Sequence, residues 1–352
     1  MEETSQPKTS ILEVAWNRFA QYDAASQKRK KSQYTLRKWV YYVSVLATFF
    51  AILSSVFPQF LPTWDAKWET AIKITLIILP IVSSILTAFT GKFYRGTDWL
   101  VLRAGAEQIL KEIYTFRTIL QKTDKRRRTW LEGRLRDIQM QVYTGLNGEM
   151  VLEAYNEQVP PLHKDGSPRK DPGFKDLTAE EYYDIRLRDQ LDWHVKRVNK
   201  MQRDRIALQV WILAVGGVGA FLAAMGGNFG LWVALTTSIA TALVGWQEIQ
   251  SLDMTVRNYS KVIIDLTSIT NHWKQLDDDE HTKKEFYGIV KDTETVLWNQ
   301  NLEYIKSMQE AFESSKMEEE DVVNQILKTG EDNNPQSPGP VAPVTTSESG
   351  SG

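Results

Sequence analysis

Four stretches of this chain, residues 40–57, 72–89, 210–225 and 229–245, consist almost wholly of apolar and small residues, and they come in two close pairs. Each is 16 to 18 residues long, near the lower end of what a hydrocarbon core of about 30 Å requires. Within the first pair stands PQFLPTWDAKWET, whose prolines and mixed charges stop a membrane helix. Within the second there is little more than Gly226, Gly227 and Asn228. The alternative for a single segment this short is a buried helix of a soluble bundle, and the paired arrangement of four weighs against it in favour of two membrane hairpins.

Flanking charge tests that reading independently, because Lys and Arg concentrate on the cytoplasmic side of short loops. Lys28, Arg29, Lys30, Lys31, Arg37 and Lys38 precede the first segment, and Lys92, Arg95 and Arg103 follow the second. Lys196, Arg197, Lys200, Arg203 and Arg205 precede the third, while the turns carry only Asp65, Lys67 and Glu69 between them. The turns are therefore expected to face outward, and both termini and the middle of the chain to be cytoplasmic. Trp39, Trp64, Trp68, Trp211, Trp232 and Trp246 fall at or near segment ends, the depth an indole prefers. Lys73, the one charge inside a segment, lies near a helix start and is read as a snorkelling anchor. The N-terminus lacks the basic-then-apolar pattern of a cleavable signal, so the first segment is expected to insert as its own signal.

Each segment carries a row of small, hydroxyl or helix-bending residues at helical spacing. The rows are Ser44, Thr48, Ala51 and Ser55; Pro80, Ser84, Thr87 and Gly91; Gly216, Ala220, Ala223 and Gly227; and Ala234, Ser238, Thr241 and Gly245. Such rows suit first of all close packing of membrane helices; the alternative is the wall of a water-filled path shared by several subunits, with Pro80 as its hinge. No Asp, Glu, His or Arg lies inside the segments, which argues against a proton relay or ion-coupled carrier.

Beyond the second segment, Trp99, Leu102, Ala106, Ile109, Ile113, Phe116 and Leu120 recur at steps of three and four, the spacing of a coiled-coil seam. Val256, Tyr259, Ile263, Leu266 and Trp273 follow the fourth in nearly the same pattern, with Thr270 interrupting it. The predicted fold is thus an all-α membrane protein of four transmembrane helices, two hairpins with long cytoplasmic extensions forming a helical bundle. Its expected divisions are a flexible stretch at 1–9, a first module at 10–158, a Pro/Gly-rich linker at 159–177, a second module at 178–315 as an internal repeat, and a disordered tail at 316–352.

The run WLVLRAGAEQILKE from Trp99 to Glu112, after a hairpin with a basic lead-in, resembles the SLATT-type two-transmembrane-helix domain. The resemblance is expected to be stronger in the first half, on Trp99, Arg103, Glu107 and Glu112. The second half keeps Arg257 but has Lys261 in place of Glu107, a degenerate copy. It implies an oligomeric pore-forming effector, with a cytoplasmic protein partner or a nucleotide-sensing regulator. Arg103 and Glu107, one helical turn apart, are the expected ion pair at the membrane exit. The alternative is a membrane-anchored helical scaffold that binds partners without conducting.

With 42 Lys plus Arg against 44 Asp plus Glu, no global field recruits nucleic acid. Basic runs such as 125–128 read instead as contacts to lipid phosphates. Cysteine is absent, which removes disulfides, thiolate metal sites and cysteine nucleophiles. His163, His194, His272 and His281 show no metal-ligand spacing, and no phosphate loop, nucleophile elbow or dinucleotide fingerprint occurs. Neither cofactor nor enzymatic activity is expected.

Overall fold

The computed structural model describes residues 10–60, 66–93, 98–120, 124–162 and 171–332. The expected flexible N-terminus, Trp64, Asp65, Arg95, His163, the middle of the linker and residues 333–352 lie outside the described residues. Among those described, the regular structure is helical throughout.

Helix α1 (Ile11–Phe60) has 50 residues, about 75 Å at 1.5 Å per residue, enough to cross a bilayer and still reach far beyond it. Helix α2 (Ala66–Phe93) folds back along it and carries Pro80 in its interior. Helices α3 (Asp98–Thr118) and α4 (Asp124–Gly145) then pack on each other and on the first half of α1. The second half of the chain also opens on a long helix. Short α5 (Ala179–Tyr182) begins at a capping box, where Thr178 Oγ1 accepts from Glu181 N–H and the Glu181 carboxylate accepts from Thr178 N–H. It continues through a π-helical turn, Tyr183–Arg188, into α6 (Asp189–Met225), one helix of 47 residues in all. Helix α7 (Gly230–Gln250) returns, and α8 (Leu252–Gln275) and α9 (Lys283–Asp332) follow. Residues 316–332, expected to be disordered, are the helical end of α9.

One apolar core outside the apolar segments unites both halves. Leu12, Trp16, Phe19 and Tyr22 of α1 pack with Leu102, Ile109 and Ile113 of α3, Leu131 and Ile138 of α4, Tyr182 and Leu187, Leu266 of α8, and Val290 of α9. The three-and-four spacing explains this: Trp99, Leu102, Ala106, Ile109, Ile113 and Phe116 are all buried, and so are Val256, Tyr259, Leu266, Thr270 and Trp273. Each large aliphatic removed from water contributes roughly 1.5–3 kcal/mol. The seam of α3 meets α1, α4 and α9 rather than one partner helix, so it is the face of a bundle.

Two buried ion pairs fasten the irregular connections to that core. Arg117 donates to both oxygens of Asp171, at 2.5 and 2.8 Å, and to Lys175 O. Trp16 Nε1 donates to Gly173 O at 2.9 Å, and a Cβ on Gly173 (φ +88°) would sit 2.3 Å from Pro160 Cγ, so this close approach requires glycine. The described ends of the expected linker are therefore packed parts of the fold. Arg186, on the π-turn, donates to both oxygens of Glu294 on α9, and Tyr182 Oη donates to the same carboxylate.

Three helices, Ile11–Val56, Thr70–Ala88 and Ala179–Met225, are long and apolar enough to cross a membrane. None of the apolar window of Thr70–Ala88 is buried within the chain. Helix α7, the fourth expected span, is not among them: Thr236, Thr237, Ser238 and Thr241, together with Gln247 and Glu248, dilute its hydropathy. In this region α2 packs on α1, α1 on α7, and α7 on α6.

Candidate functional site

The functional side chains concentrate where the apolar helices hand over to the bundle. Along the stretch of α1 that precedes its apolar segment, Ser26, Lys30, Gln33 and Arg37 recur at helical spacing on one face. Ser26, Gln33 and Arg37 are buried and Lys30 is half-buried. Ser26 Oγ donates to Trp99 O at 2.8 Å, tying α1 to the start of α3. Lys30 Nζ lies 4.5 Å from the Trp99 ring centre and 5.4 Å from those of Tyr34 and Tyr304, and donates to Tyr304 Oη at 2.8 Å. An ammonium enclosed by three ring faces is held by cation–π attraction. Burial, with the charges of Arg103 and Arg197 nearby, lowers its pKa to about 8.

Arg103 of α3 is the neighbouring charge. It donates to Asp23 Oδ1 at 2.6 Å and pairs with Glu107 one turn along its own helix. Burial works against its charge, but the two carboxylates outweigh that and raise its pKa. The phenols of Tyr259 on α8 and Tyr304 on α9 border the same space, each pushed up to about 12 by burial. Tyr34 Oη reaches Ile249 O at 3.4 Å at the end of α7, and its ring meets Trp246 edge-on at 5.9 Å, with Lys38 over that indole at 4.8 Å. The chain then turns sharply at Ser251, a non-glycine residue with φ +44° and ψ +43°. Its N–H and Oγ both donate to Glu248 O, and its own carbonyl accepts from Thr255. This left-handed joint costs local strain, and it places α7 and α8 end to end at an angle.

The small-residue rows lie elsewhere. Thr48 Oγ1 and Ser238 Oγ are 3.4 Å apart and join α1 to α7. Ser44, Ser55, Pro80, Ser84, Gly216, Ala220, Ala223, Ala234 and Thr241 are exposed on the single chain, and Thr87 is half-buried. The close approaches between these helices fall at Gly219, outside the rows, and at Gly245, the last member of the fourth row. A Cβ on Gly219 would lie 2.7 Å from Thr236 Oγ1 between α6 and α7, and one on Gly245 would lie 2.6 Å from Tyr41 Oη between α7 and α1. Gly216 has nothing within 4 Å of that position.

Arg103 and Glu107 were legible at the junction from the sequence, whereas Lys30 and Arg197 stood out only as flanking charge, Tyr259 only as a seam residue, and Gln33 and Tyr304 not at all. The usable signal was the helical spacing of Ser26, Lys30, Gln33 and Arg37, hidden within a basic run that reads as topogenic charge. His194 lies buried against Trp193 and Tyr259, where burial lowers its pKa; Nδ1 faces Gln190 O at 2.7 Å, as in a neutral imidazole donating from that nitrogen. Among the described residues no group of His, Asp and Glu could hold a metal ion.

Apolar helices bare of protein on their outer faces, rooted in one charged helical bundle, define an all-α membrane protein. Residues 182–303 match the SMODS and SLOG-associating 2TM effector domain 1, so a SLATT-type domain is present in the second half of the chain. The match runs from the π-turn through α6, α7 and α8 into α9, whereas the closer likeness was expected around Trp99 in the first half. No curated protein and no solved structure matches the chain.

Proposed function

We propose that this protein is a four-span membrane effector whose copies assemble around a conducting path, a non-enzymatic role. The observation that carries this reading is the exposure of the small-residue rows. Nine of the twelve candidate residues are exposed on one chain, so the faces best suited to close contact or to lining water are left for other copies. The 2TM effector domain over residues 182–303 supports it.

The core shared by both halves supports the fourth span by parity. Leu187, before α6, and Leu266, after α7, share one core with Leu12 and Leu102, so the chain must cross an even number of times between members of each pair. If α6 crosses, α7 returns. On this topology both termini are cytoplasmic, the two halves are copies of one module, and a cytoplasmic protein or nucleotide-sensing regulator acts on the bundle.

Purified protein in liposomes tests conduction by dye or ion flux. Ser44→Asp or Thr241→Asp is expected to change conductance while the assembly persists; a stable monomer that never leaks sinks the pore reading. The second reading, a non-conducting scaffold, is favoured by the exposed Val151 and Ile264 on the cytoplasmic body, and predicts partner capture with no flux.

A further inference from the structure

At the junction, cations outnumber carboxylates. Lys30 of α1, Arg103 of α3 and Arg197 of α6 act on one another or on the same two phenols, Tyr259 and Tyr304, so residues of five helices from both halves face one space. Asp23 and Glu107 are both engaged on Arg103. Lys30 has the Tyr304 hydroxyl and three ring faces as its partners, and no carboxylate among the described residues. Two more donors, Gln33 Nε2 and Trp99 Nε1, belong to residues 1% and 2% exposed and have no acceptor among the described residues. Gln33 follows Lys30 on the same face of α1, and the Trp99 ring lies against the Lys30 ammonium. Buried N–H groups without acceptors forfeit the hydration they had in water, and like charges gathered in partial burial add to that cost. Both are relieved by one species that brings negative charge and several acceptor oxygens.

We propose that this junction is a binding site for a phosphate-bearing anion, with Lys30 and Arg197 as its charge partners and the Tyr259 and Tyr304 hydroxyls as further donors. A tetrahedral phosphate accepts from donors arriving in several directions, which suits side chains contributed by separate helices. Arg197 is exposed and Lys30 half-buried, so the site opens to solvent. Lys30 precedes the apolar stretch of α1 by about ten residues, or about 15 Å of helix, a depth open both to a lipid headgroup and to a soluble phosphate compound. An anion here touches α1, α3, α6, α8 and α9 at once and thereby links the two halves, whether or not the spans conduct.

The test uses the full chain in nanodiscs of phosphatidylcholine, titrated calorimetrically with inorganic pyrophosphate at fixed ionic strength. A parallel arm compares unfolding temperature in phosphatidylcholine and phosphatidylglycerol nanodiscs. Saturable pyrophosphate binding, weakened at least tenfold by Lys30→Gln and Arg197→Gln but not by Lys28→Gln, identifies a soluble phosphate. A rise in unfolding temperature with phosphatidylglycerol, lost in the same two variants and kept in Lys28→Gln, identifies a headgroup. Lys30→Arg is expected to restore either effect, and exposed Arg197 provides a variant that leaves the core untouched. The proposal is overturned if neither probe has a saturable effect, or if Lys28→Gln, at an exposed ion pair, loses as much as Lys30→Gln.

Discussion

At the residue scale, the strongest commitments are charges taken out of water. Arg117 and Asp171 are 0% and 4% exposed, and Arg186 and Glu294 are 6% and 2% exposed. Removing one member strands the other, a loss of about 3–5 kcal/mol. Asp171→Ala is therefore expected to lower the unfolding transition of the detergent-solubilised protein markedly, whereas Lys28→Ala at an exposed pair leaves it in place. Lys30 adds a pH signature. Its pKa falls from 10.5 to about 8 on folding, so between those values the unfolded chain holds more protons and stability rises with pH. Tyr259 and Tyr304, raised from 10.0 to about 12, are protonated longer in the folded state and reverse the trend above pH 10. Unfolding measured from pH 7.5 to 10 is expected to show the rise in the native chain and a flatter profile in Lys30→Met; equal slopes exclude a desolvated Lys30. None of these pairs was legible in the sequence except Arg103 with Glu107, because a partner 54 or 108 positions away leaves no periodic trace.

At the element scale, the bundle-forming faces could be read from the sequence and the span contacts could not. Water distinguishes the two sides of α3 and α8, so selection writes their buried faces as a three-and-four pattern. In a bilayer both sides of a helix are apolar, and any row of small residues fits a contact. The row at Gly216 was visible, yet the close approach of α6 to α7 falls at Gly219, off that row, while in the Ala234 row it is the last member, Gly245, that meets α1. This separates two variants that the sequence alone could not. Gly245→Leu drives a side chain into Tyr41 and is expected to abolish cross-linking between Thr48→Cys and Ser238→Cys, whose native hydroxyl oxygens are 3.4 Å apart. Gly216→Leu enters open space within the chain, so that cross-link should form normally. If the row serves another copy, Gly216→Leu should instead dissociate the assembly, seen as a fall in mass by light scattering. An unchanged mass would assign this face to lipid.

At the scale of the whole molecule, charge asymmetry carried the topology and the core supplies its constraint. Basic residues in the lead-in stretches of α1 and α6 are the sequence signal for both stretches lying on one side, a reading that needs no contact information. What the sequence did not convey is that the two halves share a single interior, which ties the fate of α7 to that of α6 although its hydroxyl groups leave it outside the apolar helices. Thr236 and Thr237 donate to Val233 O, so much of the polarity that lowers its hydropathy is satisfied inside the helix and does not bar it from lipid. Because the chain contains no cysteine, single substitutions report sidedness without background. In sealed vesicles, a membrane-impermeant maleimide is expected to label Glu153→Cys and Ile264→Cys from one side only, and Lys67→Cys and Gly227→Cys from the other. Labelling of Gly227→Cys together with Ile264→Cys would mean that the α6–α7 turn never reaches the far surface. The second hairpin would then rest on the membrane instead of crossing it, and a conducting path would have only α1 and α2 from each copy to line it.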